Sequence, residues 1–304
     1  MSKIIVGVDE SQGSSDAIAL ASSLASVTGS TLILVNVFPY DPSPSRAVNR
    51  AFAEYMRQDS VTLLERLRDT HGDETVEVRA IPNTSAAHGL HELAETEDAG
   101  LIVVGSTHTG RAGRVLPGST AERLLHGSPC PVAVAPHGYA QDSSRKLAVI
   151  GCGYDGSPSA ERALEAAGRL AASTGAHLRV IRGFAPLAFD LPTGSEAAGE
   201  IPTYNDSLHE RAGAELASAV ASFEPEVGSE LKIGDSAQIL AEASEQLDIL
   251  LVGSRGYGPL HAVMVGGVAG RLVREAACPV IVVPRGARHT DEGSLFAKEL
   301  AARG

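Results

Sequence analysis

Leu101–Pro136 reads LIVVGSTHTGRAGRVLPGSTAERLLHGSPCPVAVAP, and Ile249–Pro284 reads ILLVGSRGYGPLHAVMVGGVAGRLVREAACPVIVVP. The landmarks recur at a constant offset: Gly105 with Gly253, Cys130 with Cys278, Pro136 with Pro284. Each stretch is an apolar run, a glycine-studded loop, a helical pattern and a second apolar run. Duplication at this period denotes two copies of one domain, not a solenoid of short units. The loop stands between strand and helix, where backbone N–H groups meet phosphate. Function is therefore expected at the loop.

Outward from these stretches, strands and helices alternate. Ile4–Val8 is a β-branched run ending in Asp9, apolar on both faces as a central parallel strand is. Ala17, Leu20, Ala21 and Leu24 predict a helix that Gly29 stops. Thr31–Val37 is the second strand, and the three prolines of Pro39–Pro44 make a loop. Phe52, Met56, Leu63 and Leu67 mark an amphipathic helix. Val76–Ile81 is the third strand, Ala86–Ala94 a helix, Leu101–Val104 the fourth strand, Thr120–His126 a helix and Val132–Ala135 the fifth strand.

The second copy repeats the order. Ala148–Gly153 ends at Asp155, and Ser157-Pro158 supplies an N-cap and an N1 proline for the next helix. Leu178–Ile181 follows, then a Gly/Ser loop over Pro186–Pro202. Leu208, Ala212, Leu216, Ala219 and Phe223 form a helical stripe. Glu230–Ile233, Ile249–Val252 and Val280–Val283 complete the strands.

The fold expected is α/β: two tandem doubly wound, Rossmann-like domains, each a five-stranded parallel sheet of order 3-2-1-4-5. They occupy residues 1–140 and 146–286, joined by a polar linker at His137–Lys146, with a tail at 287–304. Ligands in such sheets bind beyond the carboxyl ends of the strands at the switch point. Strands one and four are neighbours in this order, so Asp9 and Gly105, and Asp155 and Gly253, would flank one crevice per copy.

Composition narrows the partners. The 304 residues carry a net charge of −12. Neither half is basic: 12 Lys/Arg stand against 17 Asp/Glu up to residue 146, and 13 against 20 beyond it. Nucleic acid is not an expected partner. Three cysteines are too few for a disulfide framework. Cys130, Cys152 and Cys278 read as buried small hydrophobes, and the pattern suits a reducing cytoplasm. No leader precedes the first strand, and no apolar run approaches the roughly 20 residues of a membrane helix.

The second copy shows Gly253, Gly256 and Gly266 as G-x-x-G-x9-G; the first shows Gly105 and Gly118 at the same spacing, followed by Ser119. With IIVGVDES at the start and CPVAV or CPVIV at the end, both copies resemble universal stress protein domains, over nearly the whole chain except linker and tail. The resemblance implies the fold above and, for one branch with this loop, ATP binding. It places Asp9 and Asp155 at the ribose and near a Mg²⁺ accompanying the nucleotide, and Val37 and Gly183 beside adenine. Gly105, His108, Gly118, Ser119 and Thr120 would hold phosphates in the first copy. Gly253, Gly256, Gly266, Gly267 and Val268 would do so in the second. It also implies fifth-strand packing into an intramolecular pseudo-dimer, with a homodimer as a further level. The expected role is nucleotide-responsive regulation in stress adaptation, with an unidentified protein partner and no membrane. The alternatives are an interaction module without nucleotide and a slow ATP hydrolase.

Each copy departs from the loop pattern. His108 replaces the second glycine and either crowds the backbone approach or, protonated, attracts phosphate. Gly267 replaces the final hydroxyl residue, a loss of about 1 kcal/mol of hydrogen bonding. The second copy is by this reckoning the better phosphate loop. Simpler readings stand beside these. Ser119-x-x-Glu122 has the form of a capping box. Asp9 and Asp155 could cap the first helices. Arg111, Arg114 and Arg255 are as readily solvated as phosphate-bound. His88 and His91 lie three apart with no third metal ligand evident. GSTHTGR at 105–111 is not a Walker A loop, since Arg111 and Ala112 stand where Lys and Ser/Thr are needed.

Overall fold

The computed structural model describes residues 2–40, 50–71, 75–106, 115, 118–142, 146–187, 196–221, 223, 227–254 and 267–284. The first copy runs β1 (Lys3–Gly7), α1 (Gln12–Thr28), β2 (Thr31–Phe38), α2 (Arg50–His71), β3 (Glu77–Pro82), α3 (Ala86–Thr96), β4 (Leu101–Gly105), α4 (Ser119–Gly127) and β5 (Val132–Ala135). The second runs β6 (Val149–Gly153), α5 (Pro158–Thr174), β7 (His177–Phe184), α6 (Glu196–Val220), β8 (Gly228–Ile233), α7 (Ser236–Ala243), β9 (Ile249–Gly253), α8 (Gly267–Glu275) and β10 (Val280–Val283). Gly29 and Gly175 end α1 and α5 in the left-handed region (φ 64° and 71°), as their places after each apolar stripe predict.

Among the described residues the strands form one sheet of ten, ordered β3-β2-β1-β4-β5-β10-β9-β6-β7-β8. Each copy is thus a parallel 3-2-1-4-5 sheet. The copies meet where β5 runs antiparallel to β10, with Val134 opposite Val280, Ala133 opposite Ile281 and Val132 opposite Val282. Ala133 and Ile281 are equivalent positions of the two copies, so the pseudo-two-fold axis passes between them. A true homodimer would set identical residues there. The tandem chain instead places a small side chain against a large one.

Period-two alternation divides the core between the two faces. Ile4, Val6, Leu34, Cys152, Val180 and Leu251 pack under α1, α2, α5 and α6. Ile5, Ile33, Val35, Leu250 and Val282 pack under α3, α4, α7 and α8. The edge strands β3 and β8 carry the ion pairs Arg79–Glu77 and Lys232–Glu230. Charge at a free edge discourages strand addition by another chain. Among the described residues no helix is long and apolar enough to cross a membrane.

All three cysteines are buried thiols outside any disulfide. Burial disfavours the thiolate, pushing Cys130 up to about 12 and raising Cys152 as well. The folded protein is therefore expected to be inert to a thiol reagent such as DTNB at pH 8, and to release three equivalents on unfolding. Rapid labelling of the native state would contradict this burial.

Three expectations need correction. The loop placed at 186–202 ends earlier, because α6 begins at Glu196 and runs through Pro202. A proline removes one intrahelical bond and kinks the helix without having to end it. Phe52, assigned to the buried stripe of α2, is 49% exposed, whereas Leu63 of the same stripe is buried, with Leu64 beside it. The segment after β5 is not wholly a polar linker. Tyr139–Asp142 forms a 3-10 turn, and Tyr139 is buried in the core.

Candidate functional site

β1 pairs with β4 and β6 with β9, so the aspartate after each first strand stands beside the glycine ending each fourth strand. Asp9 is held by a local turn. Its Oδ1 accepts the Ser11 N–H at 2.9 Å and lies 3.0 Å from the Ser14 hydroxyl, which itself accepts the Asp9 N–H at 2.8 Å. Asp155 repeats the turn, with Oδ1 accepting the Ser157 N–H at 3.0 Å. Neither aspartate is a helix N-cap; Ser11 and Ser157 occupy those positions, and Ser157 Oγ accepts the Ala160 N–H at 3.2 Å. The turns orient both carboxylates at the carboxyl edge of the sheet.

Gly105 and Gly253 have a packing reason that their sequence context conceals. A Cβ on Gly105 would lie 2.1 Å from Gly13 O, and one on Gly253 would lie 2.5 Å from the Ser159 carbonyl carbon. The first turns of α1 and α5 rest directly on these backbones. The glycines let helix and strand touch where the glycine loop begins.

At the other lip lie the amino ends of α4 and α8. Gly118 is the N-cap of α4 and Ser119 its first helical residue, with no side-chain cap bond. The capping box expected of Ser119 and Glu122 is therefore absent. A serine that has entered the helix cannot turn its oxygen onto the N2 or N3 amide of the first turn as an extended N-cap does. Glu122 instead pairs with Arg274 at 2.9 Å. Ser119 is exposed and Thr120 half-buried, and Gly267 opens α8 in free space.

In the second copy these parts enclose a crevice of about 470 Å³, its open mouth included, lined among others by Asp155, Gly183, Ser236, Gly253, Val268 and Ala269. Just after β9, Ser254 Oγ is buried with no hydrogen-bond partner among the described residues. The Ser106 hydroxyl, its counterpart, donates to Ala135 O at 2.6 Å. A buried hydroxyl without a partner carries a desolvation cost that a polar ligand can relieve.

The surroundings of Val37 and Gly183 differ between the copies. Val37 packs against Gly89, where an added Cβ would meet the valine methyls at 3.0 and 3.1 Å. Gly183 instead receives Ser236, whose Oγ would lie 2.5 Å from a Cβ placed there. The first is apolar and the second presents a hydroxyl. One position earlier on the same strands the copies differ as well. Asn36 Nδ2 donates to Val8 O at 2.8 Å and its Oδ1 accepts from Ser60 at 2.7 Å. The matching Arg182 pairs with Glu215 at 2.9 Å, beside Tyr154, whose phenol is shifted upward by burial first and by Glu161 next. This strand position is charged in the second copy and neutral in the first.

His108, Gly256 and Gly266, with Arg111, Arg114 and Arg255, lie outside the described residues. His88 and His91 pair with Glu92 and Glu95 along α3, at 3.1 and 3.6 Å. Ser14 and Ser236 stand near these positions without any sequence pattern that marks them. Asp16 carries a signal: it falls on the stripe of Leu20 and Leu24, four residues apart, where a charge implies a buried partner.

A model of the universal stress protein family matches residues 1–136 and 148–284. A universal stress protein of Mycolicibacterium smegmatis is 29% identical over 295 residues, covering 92% of this chain and 96% of its own. One of Mycobacterium tuberculosis is 31% identical over 206 residues, covering 66% of this chain and 69% of its own. Among solved structures, a universal stress protein of Archaeoglobus fulgidus superposes with a TM-score of 0.68 at 20% identity, over 93% of this chain and 98% of that one.

Proposed function

The chain belongs to the universal stress protein family, and from that premise we propose that it binds adenine nucleotide, ATP first, as a nucleotide-responsive regulator in the cytoplasm. The observation that carries this reading is the second crevice. It joins an oriented aspartate, the Ser236 side of the sheet and the amino end of a helix around one crevice. The Asp155 carboxylate suits ribose hydroxyls as an acceptor and a magnesium ion as a ligand. Amides at the amino end of α8 suit phosphate, favoured there by the helix dipole. Ser236 and Gly183 form the base side. In the first copy Asp9, Val37 and the Gly118–Thr120 end of α4 take the same parts. The reading is one of binding, with the nucleotide biasing how the two copies present a surface to a partner protein.

Calorimetric titration with MgATP, paired with a native mass spectrum of the protein as purified, tests it. The expected result is saturable binding of one or two nucleotides per chain and a mass increment of adenine nucleotide. Absence of heat and of protection at millimolar MgATP would end the proposal.

A further inference from the structure

We propose that Arg271 is the cation of the second crevice: it meets the anionic end of the ligand, and Asp235 holds it at the rim until that ligand arrives. This rests on the nucleotide reading above and adds to it a residue that answers phosphate charge. Among the described residues lining the crevice the one charged side chain is Asp155, a carboxylate. The whole chain carries −12. A triphosphate there meets like charge unless a cation stands close by.

Arg271 stands in that place. It lies four residues after Gly267 and three after Val268, so it shares a face of α8 with the helix start and with a lining residue. Side chains on a helix lean toward its amino terminus, which carries the Arg271 stem over the turn that holds Val268. Its Nη1 donates to Asp235 Oδ2 at 3.0 Å, and Asp235 immediately precedes Ser236 of the crevice lining. The guanidinium is thus held at the rim between the amino ends of α7 and α8.

The two partners are not equally committed. Asp235 is the N-cap of α7, its Oδ1 accepting the Gln238 N–H at 2.9 Å. That amide first, and Arg271 after it, hold its carboxyl below the usual carboxylate range. Arg271 uses only one of its N–H groups on a partner among the described residues, and its side chain is 49% exposed. The other donors of the fork suit phosphate oxygens. Exposed pairs of this kind are weak, so a multiply charged ligand outcompetes the single carboxylate. The cap is the fixed member and the arginine the one that turns. The same reach recurs in the first copy, where Arg123 Nη1 lies 3.5 Å from Ser85 Oγ at the N-cap of α3. The fold brings this arginine to that cap, and the second copy makes the cap an anion that competes for it.

Hydrogen exchange of peptide 267–275, read by mass spectrometry during titration of the full chain with MgATP and with adenosine, tests this. Arg271→Gln is expected to move the MgATP midpoint about 5-fold higher. Asp235→Asn is expected to move it about 2-fold lower, since asparagine keeps the cap while releasing the arginine. Neither is expected to move the adenosine midpoint, because adenosine carries no phosphate. A pair that only ties α7 to α8 would shift both variants in one direction, and adenosine along with ATP. That result, or an unmoved MgATP midpoint in Arg271→Gln, overturns the role of Arg271 and leaves the nucleotide reading standing. Calorimetric heat from MgATP without protection at 267–275 does the same. Absence of both heat and protection in the parent defeats the nucleotide reading as well.

Discussion

Gly105→Ala is expected to destabilise the protein by about 3 kcal/mol or more, although it adds one methyl group. The new Cβ would sit 2.1 Å from Gly13 O, with backbone on both sides of the contact. No side-chain rotation relieves it, so α1 must lift from β4. Gly253→Ala meets the Ser159 carbonyl carbon at 2.5 Å and the Ala160 nitrogen at 2.6 Å, and a similar loss is expected. Gly267→Ala is the contrast. Its Cβ meets nothing within 4 Å among the described residues, so no loss of stability is expected there. Urea unfolding of the three variants measures the differences. A Gly105→Ala protein unfolding within 0.5 kcal/mol of the parent, by the usual precision of such extrapolations, refutes the close contact.

The second large effect is expected at Asp16. This carboxylate is 1% exposed, on the core side of α1. It accepts the Gly138 N–H at 2.9 Å and the Ala140 N–H at 2.8 Å, 122 and 124 residues away, with His137 Nδ1 at 4.0 Å. It therefore clasps the segment that leaves β5 for the second copy. Asp16→Ala removes two charge-assisted acceptors and leaves two amides to find others, at an expected cost of about 3 kcal/mol. Asp16→Asn keeps one acceptor oxygen and is expected to lose roughly half of that. Limited proteolysis supplies a local readout: cleavage within 137–146 is expected to accelerate in Asp16→Ala before global unfolding. An unchanged urea midpoint together with an intact linker would show that the clasp carries no weight. In the second copy the matching residue is Arg162, which donates to Pro284 O at 3.3 Å. Both copies hold the chain leaving their fifth strand from the same helix position, with opposite charge.

Much of the site was legible because its landmarks are local. An aspartate after a β-branched run, and a glycine after the next such run but two, mark strand ends whatever surrounds them. Their meeting follows from strand order. Ser157-Pro158 was readable as a helix start for the same reason. The capping box was misread because a four-residue pattern does not say which residue has extended backbone. Gly118 took that position, and Ser119 entered the helix. The packing role of Gly105 was not legible, because its tightest neighbour is Gly13, 92 residues earlier, and no local pattern links the two. Ser236 and Ser254 were missed because an isolated serine carries no periodic signal.

By itself the amino-acid sequence determined the duplication, the alternation of strands and helices, and the helix ends at Gly29 and Gly175. Repeats, periodicity and φ > 0 preferences are properties of neighbouring residues. Tertiary structure alone decided that Ala133 faces Ile281 across the axis, that Asp16 holds the linker, and that Val115 of one copy closes on Ala276 of the other. Those pairings join residues more than a hundred positions apart. Only the packing of two folded copies, with buried N–H and carboxylate groups each requiring a partner, selects them.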